Sequence, residues 1–242
     1  MKTTEKMALR CRDARACRPA VIACLGDSVT HGCFELVDLP DGRFDTTYRP
    51  HEGYPAKLQR RLNALFPAAA PCVLDAGISG DSARGGLERL ERDVLSVRPD
   101  LVIVNFGLND ACGQDAESAL AVYTRSMAAI FAGVLRGGAE CMLLTPNFMC
   151  GYVPASVKRD DLREIAAHCA RVQRGGTLSR FVDAARAEAR RRAVPVADAY
   201  ARWQALERGG VDTTALLANG INHPAAGMHD LFVETILEKL FE

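Results

Sequence analysis

Short apolar runs alternate with amphipathic segments along most of this chain. Five runs have the length and residue types of buried strands, at about residues 20–25, 72–76, 101–106, 141–145 and 194–198. The run at 101–106 is apolar almost throughout, which is typical of a central parallel strand covered on both faces. The pattern therefore predicts a sheet of five strands.

The segments between these runs are long enough to contain helices. Apolar residues recur at helical spacing, and we predict helices at about residues 54–66, 83–97, 116–135, 160–172, 178–192 and from the turn after 224 to about 240. Strands that alternate with helices predict a parallel, doubly wound sheet with helices on both faces, an α/β/α arrangement. No internal repeat or linker divides the chain, so we expect one domain over residues 19–242.

Three segments fall outside this alternation. Residues 1–18 are predicted to be a frayed or loosely packed leader. Residues 33–52 contain Pro40, Gly42 and Pro50, which favour a long loop that forms part of a substrate rim or is a passive insertion. Residues 148–176 are predicted to hold a loop and a helix that overhang the strand ends.

Charge and cysteine usage narrow the function classes. The 30 basic and 30 acidic residues balance, so no net field favours nucleic acid or an anionic membrane, and no apolar run has the length of a membrane span. The nine cysteines are scattered, with no Cys-x-x-Cys pair, which favours a reducing compartment over a disulfide framework. Since residues 1–19 lack the apolar core of a secretory signal, we expect a cytoplasmic protein.

Polar turns follow the first three predicted strands. They contain Ser28, Gly80 and Asn109, and the carboxyl ends of parallel strands lie on one edge of a sheet. Acyl transfer needs a hydroxyl nucleophile, a base and donors aimed at the developing oxyanion. Ser28 supplies the hydroxyl, while the backbone N–H groups of Ser28 and Gly80 and the Asn109 amide would form an oxyanion hole. His223, in the turn before the last helix, is the best-placed base.

Several other residues have side chains suited to the same chemistry. His31 is a rival base three residues after Ser28, whereas His229 on the last helix is expected to be a packing or surface residue. Cys24 and Cys33 are rival thiol nucleophiles, but the sequence associates no oxyanion donors and no base with either of them. Asp27 and Asp110 are expected to shape their turns. No metal-ligand spacing occurs, so no metal is predicted.

In these residues and their order, the chain resembles the GDSL-type esterases and lipases, also called SGNH hydrolases. The resemblance extends from about residue 20 to 242. The matching blocks, in order, are Gly26-Asp27-Ser28, Gly80, Gly107-Leu108-Asn109-Asp110 and His223-Pro224. The resemblance implies a flavodoxin-like, three-layer fold and a serine ester hydrolase that needs no metal or cofactor. It also implies Ser28 as nucleophile, Gly80 and Asn109 as oxyanion donors, and His223 as base.

The chain departs from the family pattern at one position. The family usually has an aspartate three residues before the histidine, and this chain has Gly220 there. The backbone carbonyl of Gly220 is the simplest alternative group to hold the far ring nitrogen of His223, and the Asn219 amide oxygen is another; Asn222 is expected to face elsewhere. A distant carboxylate is the third possibility, with Asp212 first and Asp198 or Asp230 behind it.

The expected substrate is a small-molecule ester. By analogy with the family, short acyl groups such as O-acetyl on sugars are favoured over long acyl chains. A lysophospholipase or thioesterase activity stays open, as does a non-catalytic binding module on the same fold. The sequence does not indicate an oligomeric state.

Overall fold

The computed structural model describes all 242 residues. Its strands are β1 (Val21–Gly26), β2 (Cys33–Asp38), β3 (Phe44–Tyr48), β4 (Cys72–Gly77), β5 (Leu101–Asn105), β6 (Glu140–Leu144) and β7 (Val196–Ala197). Its helices are α1 (Lys2–Arg12), α2 (Tyr54–Leu65), α3 (Ala83–Glu88), α4 (Leu90–Asp93), α5 (Leu108–Ala111), α6 (Ala116–Arg136), α7 (Asp160–Arg174), α8 (Thr177–Arg191), α9 (Ala199–Arg208) and α10 (His229–Phe241).

Five strands form one parallel sheet in the order β4-β1-β5-β6-β7. The chain passes from β1 to β4 on one side and then to β5 on the other side of β1. In sheets of this kind, ligands bind beyond the carboxyl ends of the strands at the point where the order reverses. The predicted α/β fold is confirmed, and its reversal point lies at the turns after β1 and β5.

Two helical layers cover the sheet. One contains α2, α9 and α10, and the other contains α3, α6 and α8. Every residue of β5 is buried, as its apolar sequence predicts for the central strand. The carboxyl ends of β1, β4 and β5 therefore project from a well-packed core.

Three of the local predictions are wrong. Residues 1–18 are not a frayed leader, because α1 packs on the domain with Met7 fully buried and its first N–H groups bound to the Glu140 carboxylate. Residues 33–52 are not a loop, because β2 and β3 form an antiparallel hairpin. The predicted helix at 83–97 is divided into α3, α4 and a 3₁₀ turn.

One helix, α6, is long and apolar enough by length and composition to cross a membrane. The core helix of a globular protein passes the same test. Here α6 packs against α3, α8 and β6, and buries Tyr123, Met127, Ile130, Phe131 and Val134.

Candidate active site

Ser28 lies in the tight turn that follows β1. The Asp27 carboxylate accepts the Val29 N–H at 3.0 Å, and the Ser28 carbonyl accepts the Cys33 N–H at 3.0 Å, so bonds hold the turn on both sides of the serine. This is the turn-shaping role expected of Asp27. The Ser28 side chain is nearly buried but opens into a pocket at the strand ends.

The His223 ring connects Ser28 to the β2–β3 hairpin. Its Nε2 lies 3.0 Å from Ser28 Oγ, and its Nδ1 lies 2.9 Å from the carbonyl oxygen of Phe34 in β2. A carbonyl oxygen only accepts, so Nδ1 carries the proton and Nε2 is free to accept the serine hydroxyl proton. A serine beside a histidine in this tautomer has the geometry of an activated nucleophile.

The Phe34 carbonyl corrects the prediction that Gly220 or Asn219 holds Nδ1. The Asn219 side-chain oxygen accepts the backbone N–H groups of Ile221, Asn222 and His223, each at 2.9 Å, so it shapes the turn and does not contact the ring. The Asn222 amide oxygen faces Asn219.

Gly220 has a conformation that leaves little room for the aspartate that the family usually has there. Its φ is +67°, and a Cβ at this position would lie 2.9 Å from Pro154 Cγ. A side chain here would therefore be strained and crowded. The turn therefore holds the histidine with no carboxylate three residues before it.

The three candidate aspartates are bound elsewhere. Asp212 accepts the Tyr152 hydroxyl at 2.6 Å and caps a 3₁₀ turn. Asp198 pairs with Arg186 and caps α9, and Asp230 pairs with Lys57. None of them contacts the His223 ring, so the distant-carboxylate alternative is wrong for this structure.

The three predicted oxyanion donors line the same pocket as Ser28 and His223. The backbone N–H groups of Ser28 and Gly80 donate to no protein atom. Asn109 gives one of its amide hydrogens to the Asp81 carbonyl at 2.7 Å, which leaves the second free. Gly80 has φ +79°, a conformation that glycine adopts without strain.

A buried guanidinium, Arg89, braces these turns from behind. It donates to the carbonyl oxygens of Gly26 at 2.9 Å and Ala76 at 2.7 Å, which lie near the ends of β1 and β4. It also pairs with the Asp81 carboxylate at 2.7 Å, and the carbonyl of the same Asp81 orients Asn109. One side chain thus links the turns that hold Ser28, Gly80 and Asn109.

Burial shifts the pKa values of three groups in and around the site. Burial lowers the pKa of His223 below its usual range, although the Phe34 carbonyl acts in the opposite sense. Burial also raises the pKa of Asp27 to about 7 and that of Asp110 to about 6. Asp110 accepts the Ala83 N–H at 3.0 Å at the start of α3, a structural role as expected. At neutral pH His223 is therefore an uncharged base.

The strand-end pocket, defined by Ser28, Gly80, Asn109, Asn219, Asn222 and His223, has a volume of about 230 Å³. The β2–β3 hairpin supplies one wall with Leu36, Phe44, Asp45 and Thr46, and α7 supplies the opposite wall with Leu162 and Ile165. The hairpin wall agrees with the substrate-rim alternative for residues 33–52, and the α7 wall agrees with the prediction that residues 148–176 overhang the strand ends.

The rival residues lie in other environments. His31 accepts the Ser79 N–H on its Nδ1 at 3.2 Å, and His229 is fully buried and accepts the Tyr54 N–H at 3.0 Å. Burial raises the pKa of the Cys24 thiol well above its usual range and that of Cys33 to about 11. Neither thiol ionises near neutral pH, and neither lines the pocket.

Two site groups were missed by sequence reasoning. A backbone carbonyl such as that of Phe34 has no sequence signature, and only the prediction that residues 33–52 border the site pointed near it. Arg89 is one of several arginines in the segment 83–97, which the sequence predicts as one helix rich in charged residues. Its burial, the one signal that separates it from its neighbours, is a property of the folded chain.

Comparisons with known proteins identify the family of this chain. The model of the GDSL-like lipase/acylhydrolase family matches residues 24–231. An acetylxylan esterase from Geobacillus stearothermophilus is 33% identical over 90 residues, which are 37% of this chain and 39% of that protein. The match therefore spans well under half the length of this curated relative.

Solved structures show a similar fold. The crystal structure of Axe2, an acetylxylan esterase from G. stearothermophilus, superposes with a TM-score of 0.68 at 19% identity, over 92% of this chain and 94% of that one. A lipase/acylhydrolase from Enterococcus faecalis superposes with a TM-score of 0.65 at 24% identity, over 91% and 95%.

Proposed function

Since the chain belongs to the GDSL-like lipase/acylhydrolase family, a family of ester hydrolases, we propose that it is a serine esterase that cleaves short acyl esters on carbohydrates. The contact of 3.0 Å between Ser28 Oγ and His223 Nε2, at a pocket with unpaired N–H donors, carries this proposal. The expected family resemblance is confirmed, whereas the roles of the individual residues are what we propose here.

The reaction begins when His223 Nε2 takes the proton of Ser28 and Oγ attacks the ester carbonyl. The oxyanion is stabilised by the N–H groups of Ser28 and Gly80 and by the free Asn109 amide hydrogen. The imidazolium then protonates the leaving alcohol, and an acyl-serine remains. Water, activated by the same histidine, hydrolyses that intermediate.

His223 works with a carbonyl in place of a carboxylate. The Phe34 oxygen fixes the tautomer and the ring orientation, which is the positioning part of the usual aspartate's role. A neutral carbonyl stabilises the imidazolium less than a full negative charge does. We therefore expect a slower enzyme, or one that depends on activated esters.

Two observations support a short acyl group on a sugar. The pocket is small, and polar groups of Asp45, Thr46, Asn109 and Asn222 surround it, which suits a polyhydroxylated alcohol. The curated relative is an acetylxylan esterase. The apolar side chains on the two pocket walls favour the second candidate, a lysophospholipase or thioesterase with longer acyl chains.

Covalent labelling with a fluorophosphonate tests the nucleophile. We expect the wild-type chain to react at Ser28, Ser28→Ala to lose both labelling and ester turnover, and Ser79→Ala to keep both. Ser79 is a suitable control because it lines the same pocket. Labelling that persists in Ser28→Ala would show a different nucleophile, and an unreactive wild-type chain would indicate a binding module.

A substrate series tests the acyl specificity. We expect kcat/KM to fall from p-nitrophenyl acetate to the decanoate, and acetylated xylosides to be hydrolysed. A rate that rises with chain length would support the lysophospholipase or thioesterase alternative.

A further inference from the structure

A second cavity adjoins the strand-end pocket. It has a volume of about 350 Å³ and shares Leu36, Leu162 and Asn219 with that pocket. These three residues border both spaces, and we call the second space the side cavity. The side cavity therefore lies next to the space in which a substrate bound at Ser28 would sit.

Polar and charged residues outnumber apolar ones in the walls of the side cavity. They include Glu35, Asp38, Ser156, Lys158 and Arg159. Arg49 neutralises Glu35, and Arg159 neutralises Asp38, but no carboxylate lies within ion-pair distance of the Lys158 ammonium group. The Ser156 hydroxyl has no hydrogen-bond partner in the protein either, and both Ser156 and Lys158 are exposed to solvent. Free hydrogen-bonding groups thus face this space.

This lining decides which half of an ester fits the side cavity. An alkyl chain would remove charged groups from water without giving them partners, which costs free energy. Hydroxyl groups would instead exchange hydrogen bonds with Ser156, Lys158 and Asp38. The side cavity therefore suits the alcohol half of a sugar ester and does not suit a long acyl chain.

The arginine clasp, Arg159 with its partners, holds the side cavity in shape. Its guanidinium donates to Asp38 at 2.8 Å and to the Gly42 carbonyl at 2.9 Å, and it lies 5.5 Å from the centre of the Phe44 ring. Arg159 immediately precedes α7, so these contacts join the β2–β3 hairpin to α7 across the opening. A cleft formed before the substrate arrives binds it with a smaller loss of entropy.

We propose that the side cavity is a subsite for the sugar residue next to the acylated one. The inference rests on the proposed function and makes it narrower, because the preferred substrate becomes an acylated oligosaccharide and not an acylated monosaccharide. Ser156 and Lys158 are the specificity-determining residues, and neither belongs to the catalytic machinery.

The test compares acetylated xylotriose with acetylated xylose. Two additional hydrogen bonds correspond to a preference of about tenfold in kcat/KM for the trisaccharide in the wild-type chain. Ser156→Trp fills the side cavity and should abolish this preference, and Lys158→Ala should reduce it. The matched control Ala155→Trp places the same side chain on an exposed neighbour outside the cavity and should keep the preference. All variants should hydrolyse p-nitrophenyl acetate at the wild-type rate.

A binding measurement separates this proposal from the proposed function. Calorimetry with unacetylated xylotriose needs no catalysis, and we expect Ser28→Ala to bind it and the double variant Ser28→Ala/Ser156→Trp not to bind it. A wild-type chain that fails to hydrolyse p-nitrophenyl acetate but binds xylotriose in this way contradicts only the esterase proposal.

Three results would overturn the subsite. They are equal kcat/KM for the two acetylated sugars, a preference that survives in folded Ser156→Trp and Lys158→Ala, and neither hydrolysis of acetylated xylotriose nor binding of xylotriose. If Ser156→Trp instead lowers turnover of p-nitrophenyl decanoate alone, the side cavity accepts an acyl chain. Circular dichroism of each variant checks that it is folded.

Discussion

At the scale of single residues, the site depends on a histidine kept neutral by burial. A lowered pKa means that the charged form is disfavoured, so His223 remains a competent base to more acidic pH than an ordinary histidine. A triad carboxylate would shift the pKa in the opposite direction. The absence of such a carboxylate around the ring therefore has a measurable consequence.

The lowered pKa of His223 should appear in the pH profile of kcat/KM. Activity should be full above the His223 pKa and fall as the pH drops through it, with a midpoint below the usual value of about 6.5. Asp27, whose pKa is raised to about 7, also titrates in this range and would add its own step to the profile. The same acid limb should therefore be recorded in Asp27→Asn, and a midpoint above 7 in that variant would contradict the prediction.

Asn109 should act on the transition state and not on substrate binding. Asn109→Ala removes one oxyanion donor, so we expect kcat to fall by roughly 10²–10³ with little change in KM. Steady-state kinetics with p-nitrophenyl acetate measure both constants. A change confined to KM would make Asn109 a ground-state binding residue.

The aspartates should be dispensable for catalysis. Asp212→Asn, Asp198→Asn and Asp230→Asn preserve shape and remove charge, and each carboxylate lies in a contact away from His223. We expect kcat to stay close to the wild-type value in each, whereas loss of a true triad aspartate costs about 10⁴. If any one of these variants stays folded but loses activity to that extent, its aspartate and not the Phe34 carbonyl is the functional partner of His223.

At the scale of elements, the active site is a junction of strand ends held by one guanidinium. Arg89 bonds to backbone oxygens near the ends of β1 and β4 and to the carboxylate of Asp81. A lysine ammonium at this position is one point charge and does not reproduce the planar fork of contacts. The position is therefore sensitive to a conservative substitution.

Arg89→Lys should lower kcat more than it raises KM. A small displacement of catalytic groups can cost up to about 10²-fold, so we expect a fall of roughly tenfold to a hundredfold. Arg92→Lys, on the neighbouring turn of helix but well exposed, is the matched control and should behave as wild type. If Arg89→Lys is folded and fully active, Arg89 contributes only to stability.

At the scale of the whole molecule, the amino-terminal helix is part of the domain. Met7 is fully buried, and Lys6 forms an ion pair of 2.7 Å with Asp100, whose other oxygen accepts the Val21 N–H at the start of β1. The helix therefore supports the sheet at the edge opposite the active site. Its loss should affect stability and not chemistry.

Met7→Ala tests this role. Truncation of a buried methionine costs about 2–5 kcal/mol, and each kcal/mol lowers Tm by about 2–4 °C in a chain of this length. We expect a Tm lower by at least about 4 °C with kcat unchanged at 25 °C, and little change for Leu9→Ala on the exposed face. Equal Tm values for both variants would mean that α1 does not stabilise the fold.

The sequence alone was sufficient for the five sheet strands and for most of the helices between them, because apolar runs and helical spacing are local properties. It also placed Ser28, Gly80 and Asn109 together, since parallel strands end on one edge of a sheet. The two-stranded hairpin and α1 were missed, because both depend on contacts with distant residues, such as those between Arg159 and the hairpin or between Glu140 and α1.

Only the tertiary structure decided what holds His223 and what braces the oxyanion donors. The acceptor is a backbone carbonyl 189 residues away in the chain, and every residue type carries such a group. Arg89 likewise differs from the exposed arginines around it only by its burial and its partners. Composition and spacing record which side chains are present, whereas these two functions arise from where the folded backbone places its own polar atoms.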